Sequence, residues 1–147
     1  MPTHFKGTEE ERTALNAFIK LTRAAESASV RINADLHRYN LTVSQFGVIE
    51  ALYHLGPLQP GELAAKILKS SGNMTTVIDN LEKRGLVHRH RRDDDRRRVD
   101  IILSDDGKRV VDDMLPDHVA GVVATFKVLS KEEQLQLQAL CKKLGRQ

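Results

Sequence analysis

The sequence predicts a mainly α winged helix-turn-helix: four helices, a two-stranded wing, then two more helices. Three observations carry that expectation. Lys69 to Leu103 reads as an amphipathic helix, a glycine stop at Gly85, and two strands around an arginine-rich turn. A short helix ends just before it, as the first member of a helix-turn-helix would. Long apolar-periodic segments flank the whole at both ends.

Composition agrees. The chain has 147 residues, 40% hydrophobic and 29% charged, enough for one globular domain over 1–147 with a real core. Aromatics make up 4% and Trp is absent, so the core is aliphatic and suits packed helices. No signal peptide or membrane-length apolar run stands out, and the lone cysteine, Cys141, excludes an internal disulfide framework. A cytoplasmic protein is expected. The net charge of +3 is modest, but Arg89, Arg91, Arg92, Arg96, Arg97 and Arg98 fall within ten residues. Such a cluster is either a solvated surface or a nucleic-acid footprint.

The first helix is expected from Thr8 to about His37, with Leu15, Phe18, Leu21, Ala25, Ala28, Ile32 and Leu36 on one stripe. Glu9, Glu10 and Glu11 suit its positive N-terminal end. Thr42 and Gln45 form a capping box for a second helix whose face carries Phe46, Ile49, Leu52 and Tyr53. Gly56, Pro57 and Pro60 end it, and a third helix runs through Glu62 to Ile67. The fourth starts at Ser70, or at Ser71 as the alternative cap. It buries Met74, Val77, Ile78 and Leu81 and leaves Asn73, Thr76, Asp79, Asn80 and Lys83 outside, with Thr75 on the flank. Leu86–Arg91 and Val99–Leu103 alternate as strands around Asp93-Asp94-Asp95-Arg96-Arg97. Ser104 caps the fifth helix, and Pro116 inside it predicts a kink near Asp112–Leu115. Ser130 and Glu133 box the last helix, where Cys141 sits on the apolar stripe and is expected to be buried.

Small polar groups on a helix beside an arginine-tipped ribbon suit duplex DNA. Such helices present hydrogen-bonding side chains to base edges, and narrow minor grooves select arginine. Three adjacent aspartates would repel phosphates unless some pair with neighbouring arginines.

The motifs Leu41-Thr42-Val43-Ser44-Gln45-Phe46, Glu62-Leu63-Ala64, Asn80-Leu81-Glu82-Lys83-Arg84-Gly85-Leu86-Val87, Asp95-Arg96-Arg97 and Leu103-Ser104-Asp105-Asp106-Gly107 follow one another in order. Together they resemble the MarR family of bacterial transcriptional regulators over nearly the whole chain. The resemblance implies a homodimer built by helices over 1–38 and 104–147, with a DNA-binding lobe over 42–103 on each copy. It implies a double-stranded, pseudo-palindromic DNA operator and repression released by a small effector, phenolic or aromatic by family habit. It maps the recognition helix to 70–83 and the wing to Asp95, Arg96 and Arg97. In the family a wing aspartate orients a minor-groove arginine; here Asp94 with Arg96 and Asp95 with Arg97 are both open. Leu68 stands where many members have glycine, and Thr76 where many have a long polar residue.

The expected DNA contacts are Lys69, Ser70, Ser71, Asn73, Thr75, Thr76, Asn80, Lys83, Arg91, Asp95, Arg96 and Arg97. Phe46, Ile49 and Tyr53 are candidate walls of an effector pocket. The histidines lack metal-ligand spacing, so neither a metal nor another cofactor is expected. No phosphate loop or nucleophile elbow supports an enzyme. Two rivals remain: a winged interaction scaffold that does not bind DNA, and a redox-responsive regulator using Cys141.

Overall fold

Side chains that satisfy open backbone groups set most helix ends in this computed structural model, which describes residues 3–67 and 71–146. Leu68, Lys69 and Ser70, and the side chain of Ser71, lie outside the description. The elements are α1 (Glu9–Ile32), a 3-10 turn (Leu36–Tyr39), α2 (Val43–Leu55), α3 (Pro60–Ile67), α4 (Ser71–Lys83), β1 (Val87–Arg91), β2 (Val99–Leu103), α5 (Asp105–Phe126) and α6 (Lys131–Leu144). Reciprocal capping boxes open α1 at Thr8 with Glu11, α2 at Thr42 with Gln45, and α6 at Ser130 with Glu133. At α3, Pro60 takes the first helical position, and the Glu62 carboxylate reaches back to accept from the Gln59 N–H at 2.8 Å.

The first helix is shorter than the sequence predicts. It stops at Ile32, where the Asn33 N–H bonds to the Ser29 carbonyl, and its amide donates to Ser29 Oγ at 3.2 Å. The α-helical bonding ends there: the next N–H, of Ala34, reaches the Arg31 carbonyl only three residues back, at 3.5 Å. Leu36 then enters the core from the 3-10 turn. Asn40 follows with φ 53°.

The residues fall into two compact units, 35–117 and a second made of 1–34 and 118–147. The first is wider than the 42–103 lobe drawn from sequence because Leu36, Val111 and Met114 belong to its core. That core closes around Val48, Ile49, Leu63, Met74, Ile78 and Leu81. Helix α5 runs through Pro116, which has no N–H to donate to the Asp112 carbonyl.

In the same unit β1 and β2 pair antiparallel, from Val87 opposite Leu103 to Arg91 opposite Val99. Leu58, held extended between two prolines, adds a bridge on the far edge: its N–H and carbonyl both bond to Ile101, at 3.2 and 2.8 Å.

Helix α4 ends in a Schellman stop. Gly85, at φ +71°, donates to the Glu82 carbonyl, and Leu86 donates to the Leu81 carbonyl. The Leu86 carbonyl accepts from the Ser104 N–H at 3.0 Å, and Ser104 Oγ donates to the Gly85 carbonyl at 2.6 Å. The same Oγ accepts from the Gly107 N–H and so caps α5.

The second unit buries no side chain of α1 or α6. Phe18, Val123 and Leu140 stand 64%, 62% and 66% exposed. Gln134 binds the Phe126 and Leu129 carbonyls at 3.1 Å each, closing the end of α5.

A Cβ at Gly107 would press into the Leu86 carbonyl oxygen and stand 2.7 Å from Leu103 Cδ1. Gly107→Ala is therefore expected to cost about 1–3 kcal/mol as an overpacked contact. Urea denaturation checks this, and an unchanged midpoint would contradict the junction described here.

Candidate nucleic-acid interface

Helix α4 buries Met74, Ile78 and Leu81 completely and leaves Asn73, Thr75, Thr76, Asn80 and Lys83 exposed. The predicted inner stripe and outer face are therefore both present. Lys69 and Ser70 lie outside the described residues, as does the Ser71 side chain. A hollow of about 540 Å³ opens beside the helix, lined by Asn80, Lys83, Arg84, Thr42, Gln45 and His37 among others. Arg84 borders the hollow with its guanidinium already engaged. It holds the Asn40 and Tyr39 carbonyls at 2.6 and 3.1 Å, tying the end of α4 to the segment before α2.

The wing tip is a tight turn built by Asp95. Its carboxylate accepts from the Arg97 N–H at 3.0 Å, and its carbonyl accepts from the Arg98 N–H at 2.9 Å. Neither arginine pair expected from the sequence forms. Asp94 is held by Arg92 instead, in a fork with both bonds at 3.0 Å. Asp95 is engaged by the backbone of the turn and stands 3.8 Å from Arg98 Nε. The reason is geometric. The Asx turn needs Asp95 for main-chain donors, and Arg92, just beyond β1, lies across the tip from its own i+2 aspartate.

Arg96 and Arg97 are consequently exposed and make no carboxylate pair among the described residues. Arg91 is likewise exposed, with one long contact of 3.5 Å to the Arg96 carbonyl. Arg89, part of the same basic run, belongs to the scaffold: it grips Asp79 and Glu82 of α4 at 2.6 and 2.9 Å. Burial opposes its charge, but bonds to the two carboxylates outweigh that and hold its pKa above the ordinary arginine value.

The pocket residues separate. Phe46 and Ile49 are 3% and 0% exposed and belong to the core. Tyr53 does border a shallow groove of about 220 Å³ with Pro57, Ile102 and Lys108. Its hydroxyl donates to Asp112 at 2.7 Å, and that bond and the carboxylate charge raise its pKa. Cys141 is exposed, not buried, and borders an apolar groove of about 440 Å³ with Leu21, Ala25, Phe126 and Leu137. Among the described residues no group of three or more His, Cys, Asp or Glu could hold a metal ion. No described helix is long and apolar enough to cross a membrane.

The model of the MarR family matches residues 41–99, from the start of the helix-turn-helix to the second wing strand. The HTH-type transcriptional regulator MhqR of Bacillus subtilis is 34% identical over 132 residues, covering 90% of this chain and 91% of that protein. The chain belongs to the MarR family. Among solved MarR-like structures, Sco3205 of Streptomyces coelicolor in complex with DNA superposes with TM-score 0.81 at 25% identity, over 95% of this chain and 92% of that one. NadR in complex with 4-hydroxyphenylacetate gives TM-score 0.78 at 27% identity, over 99% of each chain. The MarR assignment makes this chain a DNA-binding transcriptional regulator with the winged helix-turn-helix fold.

The Arg92 fork holds the Asp94 carboxyl below its ordinary pKa. A depressed folded-state value means the pairing contributes above the ordinary carboxylate range and is lost as pH falls through the lowered value. Carboxyl NMR titration is expected to show Asp94 titrating below the ordinary aspartate value, and rising towards it in Arg92→Gln. Equal midpoints in the two proteins would contradict the fork.

Proposed function

We propose that this MarR-family chain is a homodimeric repressor of a pseudo-palindromic operator, released from DNA by a small, phenolic or aromatic ligand. The single observation that carries the reading is the wing: Arg96 and Arg97 project from a turn fixed by Asp95, without a carboxylate partner, next to the open face of α4. In the mechanism, α4 of each copy lies in a major groove, the two helices about 34 Å apart, one helical turn. Asn73, Thr75, Thr76 and Asn80 face base edges, Lys83 and Arg91 hold phosphates, and Arg96 and Arg97 enter flanking minor grooves. The DNA complex of Sco3205 supports a duplex partner, and the 4-hydroxyphenylacetate complex of NadR supports an aromatic acid as effector class. A ligand that prefers a lobe spacing other than the DNA-bound one weakens DNA by the same coupling free energy. The protein acts in the cytoplasm, where its operator is, and catalyses no reaction.

The second copy is supported by the open apolar side chains of α1, α5 and α6. Besides Phe18, Val123 and Leu140, Val30, Val119, Leu135 and Leu144 stand half or more exposed on these helices, more apolar surface than scattered single residues give a monomer. Sedimentation is expected to give a dimer, and Phe18→Glu with Leu140→Glu a monomer. A wild-type chain that sediments as a monomer at micromolar concentration would overturn this part.

Arg96→Ala with Arg97→Ala is expected to weaken binding to the duplex upstream of the chain's own gene by ~1–3 kcal/mol per arginine. Fluorescence anisotropy at fixed salt measures it. Unchanged affinity would remove the wing from the interface. A wild-type chain that binds no duplex would leave the scaffold reading in its place.

A further inference from the structure

Two carboxylates sit on the recognition helix where a polyanion would approach. Asp79 belongs to the outer face of α4, and Glu82 lies one turn further on its wing-side flank. Left bare, both would repel phosphates, since like charges brought together at an interface are strongly unfavourable. The half-buried Arg89 of β1 meets both at once. Nη2 donates to Asp79 Oδ1 at 2.6 Å, Nη1 donates to Glu82 Oε1 at 2.9 Å, and the Arg89 main-chain N–H donates to Glu82 Oε2 at 3.1 Å. Both Glu82 oxygens and one of Asp79 are thereby drawn towards the wing strand.

We propose that Arg89 is a positioning residue for DNA recognition: it masks Asp79 and Glu82, so that α4 can approach the phosphate backbone. This rests on the DNA-binding reading. It gives Arg89 a role opposite to that of its neighbours in the basic run. Arg96 and Arg97 offer their charge outward, while Arg89 spends its charge inside the protein and contacts no nucleotide. An arginine is required because a planar fork reaches two carboxylates at once; a lysine ammonium is a single point charge.

The test uses the full chain and the duplex upstream of its gene, with circular dichroism melting to establish that each variant folds. Arg89→Gln is expected to weaken binding by at least about tenfold at ~0.1 M salt. Adding Asp79→Asn and Glu82→Gln to it is expected to restore affinity to near wild type, because the repulsion disappears with the carboxylates. A direct phosphate contact predicts otherwise: the salt slope drops by about 0.9 and the triple variant stays weak. A folded Arg89→Gln protein that binds like wild type, or a folded triple variant as weak as the single one, overturns the proposal. If Arg89→Gln does not fold, Asp79→Asn with Glu82→Gln decides alone: tighter binding than wild type is expected, and equal or weaker binding overturns the mask. If the wild-type chain binds no duplex, the DNA-binding reading fails first and the proposal falls with it.

Discussion

Three elements meet at one backbone junction, and the geometry of the winged unit depends on it. Helix α4 ends where Leu86 donates to Leu81, β1 begins at the next residue, Val87, and the Leu86 carbonyl accepts from Ser104 as β2 turns into α5. Ser104 adds its hydroxyl, donating to Gly85 and capping Gly107. A left-handed glycine is needed at one side of the junction and a side-chain-free glycine at the other. The direction in which the wing leaves the recognition helix is thus set by main-chain bonds. These are less easily displaced than exposed ion pairs and unaffected by salt.

On that frame the arginines divide by task. Arg84 closes carbonyls before α2, Arg89 spans two helix carboxylates, and Arg92 fixes Asp94. Arg91, Arg96 and Arg97 are exposed and make no carboxylate pair among the described residues, and Arg98 is exposed with Asp95 3.8 Å away. A net charge of +3 conveys little of this, because acidic partners cancel the arginines that build the scaffold and leave those that face outward. Pairing within the protein decides which cations a polyanion can meet.

Local chemistry was legible in the sequence; longer-range competition was not. The boxes at Thr42 and Ser130, the stop at Gly85 and the α4 stripe each depend on residues a few positions apart. The stop of α1 at Ile32 was missed because apolar periodicity continues to Leu36, while Asn33 bonds back onto Ser29. The wing pairing was missed because two aspartates were equally near the arginines, and the turn's own N–H groups claimed Asp95. Helix α2 is apolar nearly all round, so its periodicity could not separate Phe46 and Ile49, which are core, from Tyr53, which borders a groove. Cys141 was expected to be covered, yet the apolar stripe of α6 lies open. The leucine bridge at Leu58 pairs residues more than forty positions apart, and no local signal marks it.

In the proposed mechanism, helix and wing read a duplex together from two copies of one chain. Hydroxyl-radical footprinting of the wild-type protein on its upstream duplex tests it most directly. The account predicts two protected segments one helical turn apart, about 34 Å, each with a flanking patch of minor-groove protection. A single unpaired footprint, or uniform protection without a helical repeat, would contradict it.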